Sequence, residues 1–243
     1  CVALALGLSA VPARAELTIA MTYLRQEVEA PPVLSNLDPI PEDRGIAGAE
    51  VALADTRTTG QFMGHDYRLE VVSVPPGGDL AAAAKAALKA APIMLLDAPA
   101  ADILRVADLP EAAGALLFNV ASGAPNLRDA DCRANLLHAV AEDAARSDAL
   151  MQVLAARRWT RTALIVGPRE GDRAFADHLR ASAMKYAVEI LAEKDWTFQT
   201  DLRRSTGAEI PLFTQDFPDH DVLLIADEAD DFARYVQHNT WLP

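Results

Sequence analysis

Short apolar runs alternate with longer amphipathic segments along most of the chain. Runs of this length between polar loops are typical of strands that are covered on both faces of a sheet. The pattern predicts strands at residues 17–23, 67–74, 93–97, 115–121, 162–167, 188–191 and 221–226. Helical spacing of apolar residues predicts helices at 45–60, 80–91, 98–106, 144–158 and 172–187, and a weak helix at 201–215 that Pro211 interrupts.

The order of these elements predicts an α/β fold in two lobes. Strands and helices alternate as β-α-β-α-β-α-β up to residue 121, and right-handed crossovers make such a run a doubly wound parallel sheet. A long crossover over residues 131–158, helical in its later part, leads to a second α/β pattern. We therefore expect the strands at 115–121 and 162–167 to belong to different lobes, with a ligand-binding cleft between the lobes.

Local signals add detail to four helices. Asp43 and Asp79 stand where they could cap the helices that follow them. Leu150, Val153 and Leu154 are expected to face inward. In the helix at 172–187, one apolar face is predicted from Phe175, Leu179 and Tyr186.

Composition narrows the class of protein. The chain has 243 residues, 51% of them hydrophobic, and a net charge of −13. A chain this acidic is not expected to bind nucleic acid or an anionic membrane surface. Residues 1–11 are apolar and Pro12–Ala15 resembles a cleavage site, which predicts the remnant of a secretory signal peptide over residues 1–15 and a periplasmic mature protein.

The two cysteines, Cys1 and Cys132, predict no disulfide within the mature chain. Cys132 is expected to be a small buried thiol. Pairing with a cysteine beyond Pro243, or a catalytic role with His138 as base, are the alternatives.

The motifs that mark common enzymes are absent: there is no G-x-G-x-x-G, P-loop, H-E-x-x-H, C-x-x-C or G-x-S-x-G. We therefore predict that the chain is not an enzyme and needs no cofactor. In open parallel sheets, ligands bind beyond the carboxyl ends of the strands. That rule predicts ligand contacts from Tyr23, Asp97, Ser122, Gly123, Glu170, Asp172, Asp227 and Glu228.

These residues suit two kinds of ligand. Hydroxyl and backbone donors near Ser122 suit a carboxylate, while the carboxylates suit an ammonium group or a metal ion. Helix caps or solvated surface charges are the alternative for each carboxylate. The acidic stretch from Asp216 to Asp231 leaves a hard-cation site open, although a solvated acidic face is the simpler interpretation.

Five strings of the sequence together resemble one family. They are Asp55–Phe62 (DTRTTGQF), Cys132–His138 (CRANLLH), Asp148–Gln152 (DALMQ), Ala226–Glu228 (ADE) and Asn239–Pro243 (NTWLP). With these strings, the chain is similar to the type I periplasmic solute-binding proteins of the branched-chain amino acid class. Within that class, it resembles the substrate-binding protein that is associated with PQQ-dependent alcohol dehydrogenase systems.

The resemblance implies a two-lobed architecture of the periplasmic-binding-protein-like I type, each lobe a mostly parallel sheet flanked by helices. The lobes are expected at residues 16–140 and 141–243, both incomplete because family members continue beyond Pro243. Where the subgroup tends to have a Pro-Ser pair, this chain has Ala141-Glu-Asp-Ala144, a departure at the first hinge.

The function that the resemblance implies is transport. The chain would capture a small molecule or a metal such as a lanthanide and deliver it to an ABC transporter permease, without inserting into the membrane itself. A link to PQQ-dependent alcohol oxidation is also implied. A ligand-sensing or partner-binding module on the same fold is the alternative to a transport component.

Overall fold

The computed structural model describes residues 17–28, 41–197, 213–228, 232, 233 and 236. The predicted signal peptide remnant and most of the predicted helix at 201–215 lie outside these residues. The described chain divides into two compact units. Unit 1 contains residues 17–27, 41–121 and 133–137, and unit 2 contains residues 28, 122–132 and the described residues from 138 onward. The predicted lobe ranges include residues outside the described ones and stay predictions.

Unit 1 is built on a five-stranded sheet. Its strands are β1 (Leu17–Gln26), β2 (His65–Val74), β3 (Ile93–Asp97), β4 (Leu116–Asn119) and β5 (Leu136–His138), in the order β2-β1-β3-β4-β5. The pairs β1–β2, β1–β3 and β3–β4 are parallel. Its helices are α1 (Ile46–Met63), α2 (Leu80–Ala87) and α3 (Ala100–Ala107). Because the order reverses at β1, right-handed crossovers put α1 on one face and both α2 and α3 on the other.

The two faces of this sheet are buried to different extents. Leu24, Met94, Leu96 and Leu117 alternate along their strands and are fully buried. On the opposite face, Val71 and Leu116 remain 39% and 49% exposed. The principal core of unit 1 therefore lies on the α2–α3 side of the sheet.

Unit 2 is built on a three-stranded parallel sheet. Helices α4 (Asp143–Arg157) and α5 (Glu170–Lys185) accompany strands β6 (Arg161–Val166), β7 (Glu189–Asp195) and β8 (Val222–Ala226), in the order β7-β6-β8. Leu164 and Val166 pack with residues of α4 and α5, while Ile165 packs with Phe232 and neighbouring aromatic residues. Strands β4 and β6 belong to different sheets. The prediction of an α/β fold with two separate sheets is therefore confirmed.

Helix α4 is joined to α5 by a chain of polar groups. The Ser147 and Ser182 hydroxyls are 2.9 Å apart, and Ser182 donates to Asp148 Oδ1 at 2.7 Å. Lys185 pairs with the other oxygen of Asp148, and this hydrogen bond, together with that from Ser182, lowers the pKa of the carboxyl. Since Ser182 gives its proton to Asp148, the single proton of Ser147 is shared between Ser182 Oγ and Ala144 O, which is 3.0 Å away.

Two of the local predictions are confirmed. The carboxylate of Asp79 accepts a hydrogen bond from the Ala82 N–H at 3.0 Å. Phe175, Leu179 and Tyr186 all pack in the core of unit 2.

Other local predictions are wrong. Gly45, not Asp43, is the N-cap of α1, and Asp43 contributes only its backbone carbonyl, to Ala47. Met151 and Leu154 face the core from α4, whereas Leu150 and Val153 are 38% and 53% exposed. The inward face of α4 is therefore rotated by about one residue position from the predicted face.

Two further differences concern the crossover and β1. The crossover contains the short strand β5, whose three residues are too few to show a period. Strand β1 continues past Tyr23 to Gln26 because all ten of its residues pair with β2. Cys132 is exposed, so the expectation of a buried thiol is wrong.

None of the helices within the described ranges is both long and apolar enough to cross a bilayer.

Two buried threonines give a matched test of the cores. Both are 0% exposed, but the Thr162 hydroxyl donates to Glu189 O at 2.9 Å, whereas Thr22 Oγ1 has no hydrogen-bond partner among the described residues. We expect Thr22→Val to raise the free energy of unfolding by about 1 kcal/mol and Thr162→Val to lower it by about 1 kcal/mol. Urea denaturation followed by circular dichroism measures both changes. Equal destabilisation by the two substitutions would mean that the Thr22 hydroxyl has a partner, such as ordered water.

Candidate functional site

In unit 1, Tyr23 and Asp97 lie on neighbouring strands and contact each other. The parallel register aligns Tyr23 with Leu95 and Arg25 with Asp97, so the three polar side chains share one face of the sheet. The Tyr23 hydroxyl donates to Asp97 Oδ2 at 2.9 Å, and Arg25 Nε is 3.7 Å from the same oxygen. Burial, followed by the contact with Asp97, raises the pKa of Tyr23 far above its usual range.

The N-terminus of α1 meets this group. Gly45 has φ of +85°, and a Cβ at this position would be 2.5 Å from the Tyr23 hydroxyl oxygen, so both backbone angle and space require glycine. No side chain caps α1, and Arg25 Nη1 donates to Glu42 O at 2.7 Å just before the helix. The positive end of a helix dipole and a guanidinium therefore lie beside the Tyr23–Asp97 pair.

Sequence reasoning missed Arg25 and Gly45 in this group. The predicted strand ended at Tyr23. A strand predicted as far as Gln26 would have put Tyr23 and Arg25, two residues apart, on the same face of the sheet.

Ser122 and Gly123 belong to unit 2, and Gly123 contacts the start of α4. Ser122 Oγ accepts a hydrogen bond from the Ala124 N–H at 3.4 Å. Gly123 O accepts from the Asp143 N–H at 2.8 Å, and a Cβ on Gly123 would be 2.3 Å from Asp143 Oδ1. Glycine is therefore needed here to make room for Asp143, a residue that sequence reasoning did not select.

Asp172 is fully buried, and both of its carboxylate oxygens are used. Oδ2 accepts from the Arg169 N–H at 3.0 Å, and Oδ1 accepts from the Glu228 N–H at 2.7 Å. A Cβ on Gly167 would lie 2.3 Å from Asp172 Oδ2. The carboxylate is thus enclosed by backbone and has no surface that faces solvent.

The remaining predicted carboxylates have different surroundings. Asp227 Oδ2 accepts from the N–H groups of Phe232 and Ala233 at 2.6 and 3.0 Å, while Oδ1 is buried with no hydrogen-bond partner among the described residues. Glu228 and Glu170 are exposed. Glu228 Oε2 would be 2.3 Å from a Cβ on Gly171, so this carboxylate lies over the first turn of α5.

The structure thus brings the predicted residues together in three groups. Tyr23 joins Asp97 in unit 1, Ser122 and Gly123 adjoin Asp143, and Glu170, Asp172, Asp227 and Glu228 follow the ends of β6 and β8. Whether any of the eight contacts a ligand stays a prediction.

The described residues contain no group of three or more histidine, cysteine, aspartate or glutamate side chains that could hold a metal ion. Part of the acidic stretch, including Asp230 and Asp231, lies outside those residues.

No protein-family model matches the chain, and no curated protein matches it. Solved structures do. An ABC transporter substrate-binding protein from Desulfitobacterium hafniense superposes with a TM-score of 0.61 at 16% identity, over 93% of this chain and 64% of its own. A structure described as that organism's ABC transporter substrate-binding protein in complex with Leu gives 0.60 with the same identity and coverage.

A periplasmic ligand-binding protein of a branched-chain amino acid ABC transporter from Burkholderia xenovorans LB400 also matches. It gives a TM-score of 0.56 at 11% identity, over 76% of this chain and 48% of its own. The chain therefore spans about two thirds or less of the length of these proteins. At such low identity the likeness shows the fold alone: this chain has the α/β fold of type I periplasmic binding proteins, with parallel sheets flanked by helices.

Proposed function

We propose that the chain is the substrate-binding component of an ABC transporter, which captures a small solute in the periplasm and delivers it to a membrane permease. The observation that carries the proposal is the fold likeness over 93% of the chain to proteins described as substrate-binding components. The same likeness supports a binding protein over an enzyme. The signal-like residues 1–15 support export, and the solute is proposed to bind at the loops that follow the strands of the parallel sheets.

We propose further that the solute carries a cationic group that contacts unit 2. The loop after β8 presents Glu228, which is exposed and makes no hydrogen bond or ion pair with its side chain among the described residues. Asp227 adds a second negative charge to this loop, with its Oδ1 buried. An ammonium group supplies both the charge and the three donors that such oxygens lack.

In unit 1, taken by itself, the group around Tyr23 and Asp97 is proposed to suit an anion. Asp97 is already matched by Tyr23 and Arg25, and α1 begins there without a side-chain cap. A carboxylate suits the guanidinium of Arg25 and the helix N-terminus. The donors near Ser122 remain the alternative contact. A small zwitterion such as an amino acid carries both groups.

A link to PQQ-dependent alcohol oxidation is part of the proposal and rests on the resemblance of the strings in the sequence. A metal cargo such as a lanthanide is the alternative solute. It would need three or more converging oxygen ligands, and Asp172 is fully engaged by backbone N–H groups. The observations on the described residues favour the amino acid.

Calorimetric titration of the full chain with L-leucine, a panel of other L-amino acids and La³⁺ tests the proposal. We expect heat from an amino acid and none from La³⁺. Glu228→Gln should weaken that amino acid's binding by about tenfold or more, the loss expected when a charge-assisted bond becomes neutral. Glu189→Gln makes the same charge change at the start of β7 and should leave the affinity unchanged.

Three results would contradict the proposal. Heat from La³⁺ alone would favour the metal cargo. If none of these probes gave heat, both an amino acid and a metal ion would be rejected as the solute. Recovery of a sensor kinase instead of a permease in a pull-down would favour a sensing module.

A further inference from the structure

The loops after β6 and β8 converge on one buried carboxylate. Asp172 lies in the first turn of α5, and Glu228, whose N–H it accepts, is 56 residues further along the chain. Its second oxygen accepts the N–H of Arg169, so one side chain fixes two peptide groups that belong to different loops.

The glycine after β6 makes this convergence possible. Gly167 N donates to Ala226 O at 2.8 Å, which joins the ends of the two neighbouring strands. Its Cα faces Asp172 so closely that a Cβ would lie 2.3 Å from Oδ2 and 3.2 Å from Ala226 O. No other residue type fits between the carboxylate and the end of β8, so Gly167 and Asp172 act as a pair.

We infer that Asp172 is a positioning residue, which fixes the Glu228 peptide so that the Glu228 carboxylate is held over the first turn of α5. A group that is 0% exposed and bonded to two backbone N–H groups contacts no solute in this conformation. Glu228, by contrast, is exposed, and its side chain lies against Gly171. The importance of this arrangement for solute binding rests on the proposed function.

A merely stabilising role is the alternative, and the chain contains a matched control for it. Asp221 Oδ2 accepts the Arg161 N–H at 3.0 Å, which also ties β8 to β6. That tie is at the opposite end of the same two strands, because Arg161 begins β6 and Asp221 precedes β8. Asp172→Asn and Asp221→Asn therefore both weaken a carboxylate-to-backbone bond, but only the first lies beside Glu228.

The experiment compares amide hydrogen exchange of Glu228 by NMR in the full chain for both variants. We expect Asp172→Asn to accelerate exchange at Glu228 by about tenfold or more, because a neutral asparagine offers one weaker acceptor oxygen to two backbone N–H groups. Asp221→Asn should leave that rate within about twofold of the original. If an amino acid binds, Asp172→Asn should also weaken its affinity, whereas Asp221→Asn should not.

An unchanged Glu228 exchange rate in Asp172→Asn, or equal acceleration in Asp221→Asn, would overturn the inference. If Asp172→Asn does not fold, the unsubstituted protein decides the question through the scalar coupling between the Glu228 amide nitrogen and the Asp172 carboxyl carbon. That coupling is expected, and its absence would overturn the inference. A failure of every amino acid to bind would overturn the proposed function while these amide measurements still decide the role of Asp172.

Discussion

Phe232→Ala is expected to lower the free energy of unfolding of unit 2 by about 3–5 kcal/mol, the usual cost of emptying a buried phenylalanine site. Phe232 is 1% exposed and packs with Ile165 at the centre of an aromatic cluster. Its ring centroid is 5.5 Å from that of Trp196 and 5.6 Å from that of Phe213. Since all three tryptophans lie at or beyond residue 159, denaturation followed by tryptophan fluorescence measures unit 2.

The matched control is Phe62→Ala. Phe62 is 93% exposed at the end of α1, so the same substitution removes almost no buried area and should change stability by less than about 0.5 kcal/mol. Circular dichroism follows both variants in the same way. A loss below about 1 kcal/mol for Phe232→Ala would show that the aromatic cluster does not cover that face of the second sheet.

These two phenylalanines show why part of the fold was predictable and part was not. Periodicity identified seven of the strands because a short apolar run between polar loops is usually a buried strand in an α/β chain. It could not tell Phe62 from Phe232, since neither lies in a long apolar run: Phe62 is followed by Met63 and Gly64, and Phe232 by Ala233 and Arg234. Burial depends on tertiary packing, which was also what placed Met151 rather than Leu150 against the core.

The sequence predicted candidate residues at the ends of strands but not the contacts that these residues make. The rule for parallel sheets led to Tyr23, Asp97 and the carboxylates after β6 and β8. It could not reveal that Tyr23 and Asp97 bond to each other, since that depends on the register of β1 with β3. Nor could it separate buried Asp172 from exposed Glu228, because the hydrogen bond between them joins distant parts of the chain.

Three glycines carry positional information that hydrophobic periodicity does not use. Gly45, Gly123 and Gly167 each face a polar side chain so closely that a Cβ would lie within 2.5 Å of an oxygen. Each follows a strand or precedes a helix, where exit loops are packed against the next element. In this chain a glycine beside a predicted site residue therefore marks a close contact within the protein.

Gly60→Ala is expected to lower the free energy of unfolding of unit 1 by about 2 kcal/mol, although alanine is the better helix former. Gly60 is the buried residue of α1, and a Cβ there would be 2.8 Å from Tyr67 Cε2 and 3.0 Å from His65 O. The Tyr67 ring has little freedom to yield, because the His65 ring packs against it at 5.9 Å. Circular dichroism during denaturation and hydrogen exchange of the α1 amides measure the effect.

Gly48→Ala in the same helix supplies the control. Outside the backbone of α1 itself, no atom of the described residues lies within 4 Å of a Cβ at Gly48, so helix propensity acts there and should raise stability by about 0.5–1 kcal/mol. If Gly→Ala lowers the free energy of unfolding at position 60 and raises it at position 48, the loss at position 60 comes from the close contact with Tyr67 and not from helix propensity. If both variants gain stability, α1 does not pack on β2 through Gly60. The string Asp55–Phe62 would then need a reason other than packing, because its Gly60 and Arg57, which donates to Tyr67 O at 2.9 Å, are what join α1 to β2.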